Sequence, residues 1–190
     1  MTSEVVTLRL LTAETFADFA AMHGRPECFG CFCMYWHFEG DNRAWQQALP
    51  AENLVAKRRL VDHGETHGML AYSGADVVAS AQFHRRDELT KLTARMPYHG
   101  LETDPSVWAV SCFVVLPEQR HRAIAARLLG GIAEHVREVL GGSSLEAYPR
   151  RGADLRDEEV WTGPERLFAA NGFIEVREHL QYPIFRRVLR

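Results

Sequence analysis

Apolar and polar positions change period several times along the chain, and each change marks an element. Residues 5–11 alternate as a half-buried strand does. Phe16, Phe19, Ala20 and His23 then recur at helical spacing, with Thr12 as the expected N-cap and Gly24 and Pro26 as the stop. Residues 42–63 read as a long helix broken near Pro50. Two strands follow at 67–72 and 77–84, with turn chemistry at Gly74 and Asp76, which predicts a hairpin. Residues 85–100 are polar and predict a loop with a helical turn. Residues 107–115, VWAVSCFVV, are rich in β-branched and aromatic side chains and predict a buried central strand that Pro117 stops. A helix is expected over 121–140, with Ile124, Leu128, Ile132, Ala133 and Val136 on one face and Gly141 at its end. A strand at 145–148, a charged excursion at 150–162, a short helix at 164–171 and strands at 173–176 and 182–189 complete the chain. This order predicts one α/β domain over residues 1–190, with a sheet of mixed strand directions.

Composition narrows the function classes. Hydrophobic residues make up 46% of the 190, enough for a core without disulfide or metal staples. The net charge of −3 lacks the basic excess of a nucleic-acid binder. No apolar run reaches the length of a membrane span, and MTSEVVTLRLL lacks the pattern of a secretory signal. Four cysteines without such a signal point to free thiols in a reducing, cytoplasmic setting. Three of them, Cys28, Cys31 and Cys33, crowd with His37 into CFGCFCMYWH. That spacing lacks the distant second ligand pair of common zinc modules, so no metal is assigned. The segment reads as small buried residues packed among aromatics, or as the wall of an acceptor pocket, with a metal site or a catalytic cysteine as alternatives.

The richest chemistry lies in CFVVLPEQRHRAIAARLLGG. An apolar strand feeds a short polar turn that runs straight into a helix. The first amides of a helix lack internal partners and sit at its positive end, so such a junction suits a pyrophosphate. Arg120 and Arg122 add cationic donors there, and Ala123, Ala125 and Ala126 are small enough for close approach.

Here the chain resembles the GNAT acetyltransferases. Their signature of Val, Pro, Arg and a small-residue loop appears as Val115, Pro117, Arg120, Ala123 and Ala125, followed by the pair Leu128 and Leu129. Downstream, Phe168 precedes Gly172 and Phe173 in a second match. The resemblance implies a mostly antiparallel central sheet with flanking helices and a splayed strand pair that binds acyl-CoA. It implies acetyl-CoA as cosubstrate, held by the backbone of Phe113, Val114 and Val115, by Arg120, His121, Arg122, Ala123, Ile124, Ala125 and Ala126, and beside Phe168. Ala123 replaces the usual Gly, and Phe168 stands where many members carry a Tyr that protonates the leaving thiolate. Ala109 falls where several members carry a basic Glu. Glu146 and Tyr148, on one face of the 145–148 strand, become the catalytic candidates for proton transfer, with a structural hydrogen bond or ion pair as the alternative for Glu146. His99, Glu102 and Asp104 are weaker candidates. The implied function is acetyl transfer to a primary amine of a small molecule, by a soluble protein that forms no nucleic-acid or membrane contact and has a homodimer as one option. An acyltransferase for longer acyl-CoA and a non-catalytic CoA-binding module are the rivals.

Overall fold

The structure, a computed structural model, describes residues 6–156 and 159–190. Seven strands form one sheet: β1 (Val6–Leu10), β2 (His67–Ser73), β3 (Asp76–Arg85), β4 (Val107–Val115), β5 (Ser144–Ala147), β6 (Ile174–Arg177) and β7 (Ile184–Val188). Their order is β1-β2-β3-β4-β5-β7-β6. The β4–β5 pair is parallel and the other pairs are antiparallel. Val5, which opened the first predicted strand, and Asp157 and Glu158 of the charged excursion lie outside the described residues.

Strand alternation gives the sheet two apolar faces. One face receives α5 (Ile124–Glu138), whose Leu128, Leu129, Ile132 and Val136 are fully buried against Ala79, Phe83, Val110 and Leu145. Gly131 lets that helix approach closely, since a Cβ there would lie 2.6 Å from Leu8. The other face carries α1 (Phe16–His23) and α3 (Pro50–Asp62), with Phe19, Leu70 and Tyr72 between them. The helix at 42–63 breaks as expected: α2 (Asn42–Gln47) ends before Pro50, which opens α3 as its first residue.

Two local expectations need correction. Thr15, not Thr12, sits at the start of α1. Its hydroxyl donates to the Leu10 carbonyl and accepts the Thr12 amide, so Thr12 belongs to the turn before the helix. The segment 85–100, expected as a polar loop with a helical turn, is more helical and more buried than that. It folds into three short helical turns, the middle one α4 (Thr90–Thr93), and buries Leu89, Leu92 and Tyr98 against Trp36, Tyr148 and Ile184. Those three apolar residues are too widely spaced among charges to stand out as a pattern.

Candidate active site

The β4–β5 ladder runs from Val107 opposite Ser144 to Val110 opposite Ala147 and stops there. β4 continues to Val115 without a β5 partner, which leaves an open edge. A bulge marks the start of that edge. Gln82 pairs with Cys112 and Phe83 with Val110, so Ser111 is the extra residue. Val110 and Phe113, three apart, therefore both pack toward α5, while Cys112 faces the opposite side and meets Cys33, sulfur to sulfur, at 3.3 Å. Along the open edge the Phe113 amide donates to the Trp161 carbonyl at 2.7 Å. By alternation the Val115 amide points the same way.

Beyond Val115 the chain turns through Pro117–Gln119 and enters α5. The helix begins at Ile124, three residues later than the pattern predicts, because His121 and Ala123 have φ of 61° and 58°. Arg127 is the first residue whose amide bonds back, to the Ala123 carbonyl. The amides of Ile124, Ala125 and Ala126 therefore lack intrahelical acceptors, and no side chain caps them. Ala123 holds the left-handed conformation that favours glycine, and its Cβ carries the strain. Arg120 reaches back, its Nε donating to the Val115 carbonyl at 3.2 Å.

A cavity of about 1260 Å³ joins this loop to an aromatic patch by way of the β4 edge. Its loop end is walled by Arg120, His121 and Ala123 to Ala126, and its middle by Cys112 to Leu116. The far end is made by Cys31, Cys33, Tyr35, Trp36, Trp45, Arg95 and Trp161. The rings of Tyr35, Trp36 and Trp161 pack within 5.4 Å of one another. Trp36 anchors them to the sheet by donating to the Ser111 carbonyl at the bulge, at 3.0 Å. Gly163 closes the far wall before α6 (Glu165–Ala170). With φ of 94°, and 2.6 Å between an ideal Cβ and Phe168, it admits no side chain.

Most of the expected CoA-binding residues line this cavity: Phe113, Val114, Val115, Arg120, His121 and Ala123 to Ala126. Arg122 lies off its wall and donates to Gln119 at 2.6 Å. Phe168 is also off the wall, fully buried between Phe113 and Phe173. Its neighbours Arg166, Leu167 and Ala170 are the α6 residues that face the cavity, with Asn171 just past the helix end.

Glu146 and Tyr148 are brought together, but under the site rather than on it. Glu146 is fully buried and accepts from Arg86 at 3.1 Å, from Arg186 Nε at 2.9 Å and from the Tyr148 hydroxyl. Burial and the Glu146 carboxylate push the Tyr148 phenol well above its ordinary range, so it stays protonated. Neither residue lines the main cavity; Tyr148 touches a smaller one, shared with Trp36, Arg95 and Trp161. His99 and Glu102 are surface residues, and Asp104 accepts from Ser106. Sequence reasoning missed Arg95 and Trp161, which sit in stretches read as polar loops.

Behind the cysteine segment lies a buried polar cluster. Lys57 donates to Thr66 at 2.8 Å and to Gln82 at 2.6 Å, and burial pulls its pKa down to about 8. His23, bonded to Ser80, is held neutral by burial, its pKa down to about 3; His37, against His84, falls to about 4. A hydrogen bond from Cys33 to Cys112, with burial, keeps the Cys33 thiol protonated. Among the described residues no group of three or more His, Cys, Asp or Glu is arranged to hold a metal ion, and none of the helices is long and apolar enough to cross a membrane.

The family model of the acetyltransferase (GNAT) family matches residues 27–154. No curated protein sequence matches the chain. Among solved structures, AAC(6')-Ib, an aminoglycoside acetyltransferase in complex with coenzyme A and kanamycin, is similar at TM-score 0.61 and 14% identity, covering 97% of this chain and 95% of that one. The ribosomal-protein-S5-alanine acetyltransferase of Vibrio fischeri gives 0.58 at 12%, over 97% and 93% of the two chains. The paiA N-acetyltransferase of Thermoplasma acidophilum, in complex with coenzyme A, gives 0.56 at 11%, over 97% and 99%. At these identities the likeness concerns the fold.

Proposed function

The chain belongs to the acetyltransferase (GNAT) family, and from that premise we propose that it transfers an acetyl group from acetyl-CoA to the primary amine of a small molecule. The observation that carries this reading is the uncapped start of α5. The amides of Ile124, Ala125 and Ala126, with Arg120 beside them, face one end of a cavity that continues along the open edge of β4. Uncapped amides at the positive end of a helix suit a pyrophosphate. The Phe113 amide is taken by the Trp161 carbonyl, so the Val115 amide is the edge donor offered to the pantetheine arm and the thioester oxygen.

When bound, a CoA thioester supplies an activated acyl carbon. This chain's residues then have to orient the amine, shield the site and handle two protons. Tyr35, Trp36 and Trp161 shield and position. Among the described residues no carboxylate sits in the wall near Cys112 and Phe113, so the ammonium proton leaves to water in the open cavity. The departing thiolate, with a basicity near that of cysteine, about 8.5, can also be reprotonated by water. Phe168 in place of Tyr is compatible with that route. Glu146 and Tyr148 serve this chemistry by bracing the wall, through Arg86 and Arg186. The buried thiols of Cys28, Cys33 and Cys112 fit a reducing cytoplasm.

The test is thiol release from acetyl-CoA across a panel of primary amines, with the acetylated product identified by mass. Amine-dependent turnover supports the reading. CoA binding without turnover on any amine would leave a binding module, and faster turnover with longer acyl-CoA would replace acetyl as the group transferred.

A further inference from the structure

We infer that the amine acceptor carries a carboxylate on a flat, apolar body, and that Arg95 binds that carboxylate. This rests on the acyltransferase reading and concerns the acceptor end of the same cavity. Arg95 lies on the cavity wall with its guanidinium 5.3 Å from the ring centre of Trp36 and 5.8 Å from that of Tyr35. Its polar contact is one long hydrogen bond, 3.5 Å, to the Tyr35 hydroxyl. Among the described residues no carboxylate approaches it within the 4.0 Å of an ion pair. A planar guanidinium with its donors unfilled, flanked by rings in a concave site, matches the two oxygens of a carboxylate.

The surroundings share the same sign. Lys91 stands nearby, its ammonium 4.4 Å above Tyr35. Burial and the Arg95 charge lower the Lys91 pKa, and Asp41 partly offsets this. Asp41 is itself engaged at the start of α2, accepting the Ala44 amide. Glu159, on the smaller cavity that Arg95 also touches, is paired with Arg150 at 2.6 Å. Among the described residues the main cavity's one wall carboxylate is Glu27, and it is bound by Arg25. A polycationic acceptor would therefore meet Arg95 at this end, with Lys91 behind Tyr35, and no open acid among the described residues. An amine bearing a carboxylate would meet one strong partner, with the packed rings of Trp36 and Trp161 offering apolar surface to a flat group. Trp36 is also bonded to the β4 bulge, which places the Arg95 site one indole ring from the edge where acyl transfer is proposed.

The test uses two matched pairs of probes: L-phenylalanine with phenethylamine, and 4-(aminomethyl)benzoate with benzylamine. They vary the spacing between amine and carboxylate. Binding is measured by calorimetry on the CoA-saturated protein, and initial rates with acetyl-CoA are compared, with kanamycin as a polycation. In at least one pair the carboxylate member should bind 10-fold or more tightly than its partner. Arg95→Gln should erase that preference, Arg95→Lys should keep part of it, and both variants should retain CoA affinity, which reports an intact fold. Equal binding of both members in each pair overturns the inference, as does a preference that survives Arg95→Gln or kanamycin acting as the better substrate. Failure of the wild-type protein to bind CoA would overturn the acyl-transfer reading, and this inference with it.

Discussion

At its loop end the cavity is walled by neighbours in sequence, Arg120, His121 and Ala123 to Ala126, and the groups that face it are mostly backbone amides. At its aromatic end it is walled by Tyr35, Trp36, Trp45, Arg95 and Trp161, side chains brought from four stretches of chain. An anion site made of consecutive amides depends on a turn and a helix start, and it tolerates Ala123 where glycine would be less strained. A site made of distant side chains depends on everything that braces them. The aromatic end stands on the Glu146 ion cluster, on the buried segment 85–100 and on the polar cluster beneath the cysteines. Perturbing those supports should damage one end and spare the other.

The largest effect is expected from Glu146→Ala. Removing the shared carboxylate strands Arg86, whose side chain is 4% exposed, and should cost about 3–5 kcal/mol in denaturant unfolding. A loss under about 1 kcal/mol would show that the cluster does not brace the fold. Tyr148→Phe removes one hydroxyl from the same carboxylate and should cost about 1.5–3 kcal/mol, the range for a hydrogen bond to a charged group. Its kcat should stay within about 3-fold of wild type. A fall of roughly 10²-fold at unchanged acetyl-CoA KM would instead make Tyr148 the thiolate acid.

Acidification should act through the buried histidines. His23, His37 and His84 are neutral in the fold, with pKa values depressed by burial, and each regains an ordinary value near 6.5 on unfolding. Below that pH the unfolded chain binds more protons, so stability is present above about pH 6.5 and drains as the pH falls toward the folded values. Each such histidine should cost about 1.4 kcal/mol between pH 7.5 and 5.5. Urea titrations across that range check it, and a flat stability profile would contradict the burial of these rings as neutral groups. The smallest effect belongs to the loop end. Ala123→Gly relieves a left-handed alanine, roughly 1–2 kcal/mol of strain, against roughly 0.4–1 kcal/mol of added unfolded-state entropy. Net stabilisation within about 1 kcal/mol is expected in denaturant unfolding, with CoA binding retained; destabilisation would mean that the methyl makes a useful contact.

The same contrast explains what the sequence made legible. The succession of strands and helices along the chain, the hairpin, the helix break at Pro50 and the loop-to-α5 junction are local patterns, and they hold in the structure to within a few residues. The true start of α5 is hidden in the sequence because positive φ at His121 and Ala123 leaves no mark in a helical periodicity. Motif position puts Phe168 and Arg122 at the cavity, while packing turns both off its wall. Glu146 stands out in the sequence because a carboxylate in an apolar strand needs a partner. Its partners, Arg86 and Arg186, lie 60 and 40 residues away in sequence, so neither could be named in advance. Arg95 and Trp161 sit in charged stretches without periodicity, and only the fold brings them to the β4 edge.

The central claim is that the start of α5 holds the CoA pyrophosphate. Calorimetric titration of CoA into the wild-type protein and into Arg120→Glu tests it most directly. The account predicts one CoA per chain for the wild type and an affinity at least ~10-fold weaker, about 1.4 kcal/mol, when a carboxylate replaces Arg120 beside the amides of Ile124 to Ala126. Equal affinity in the two proteins, with the variant folded, would contradict it.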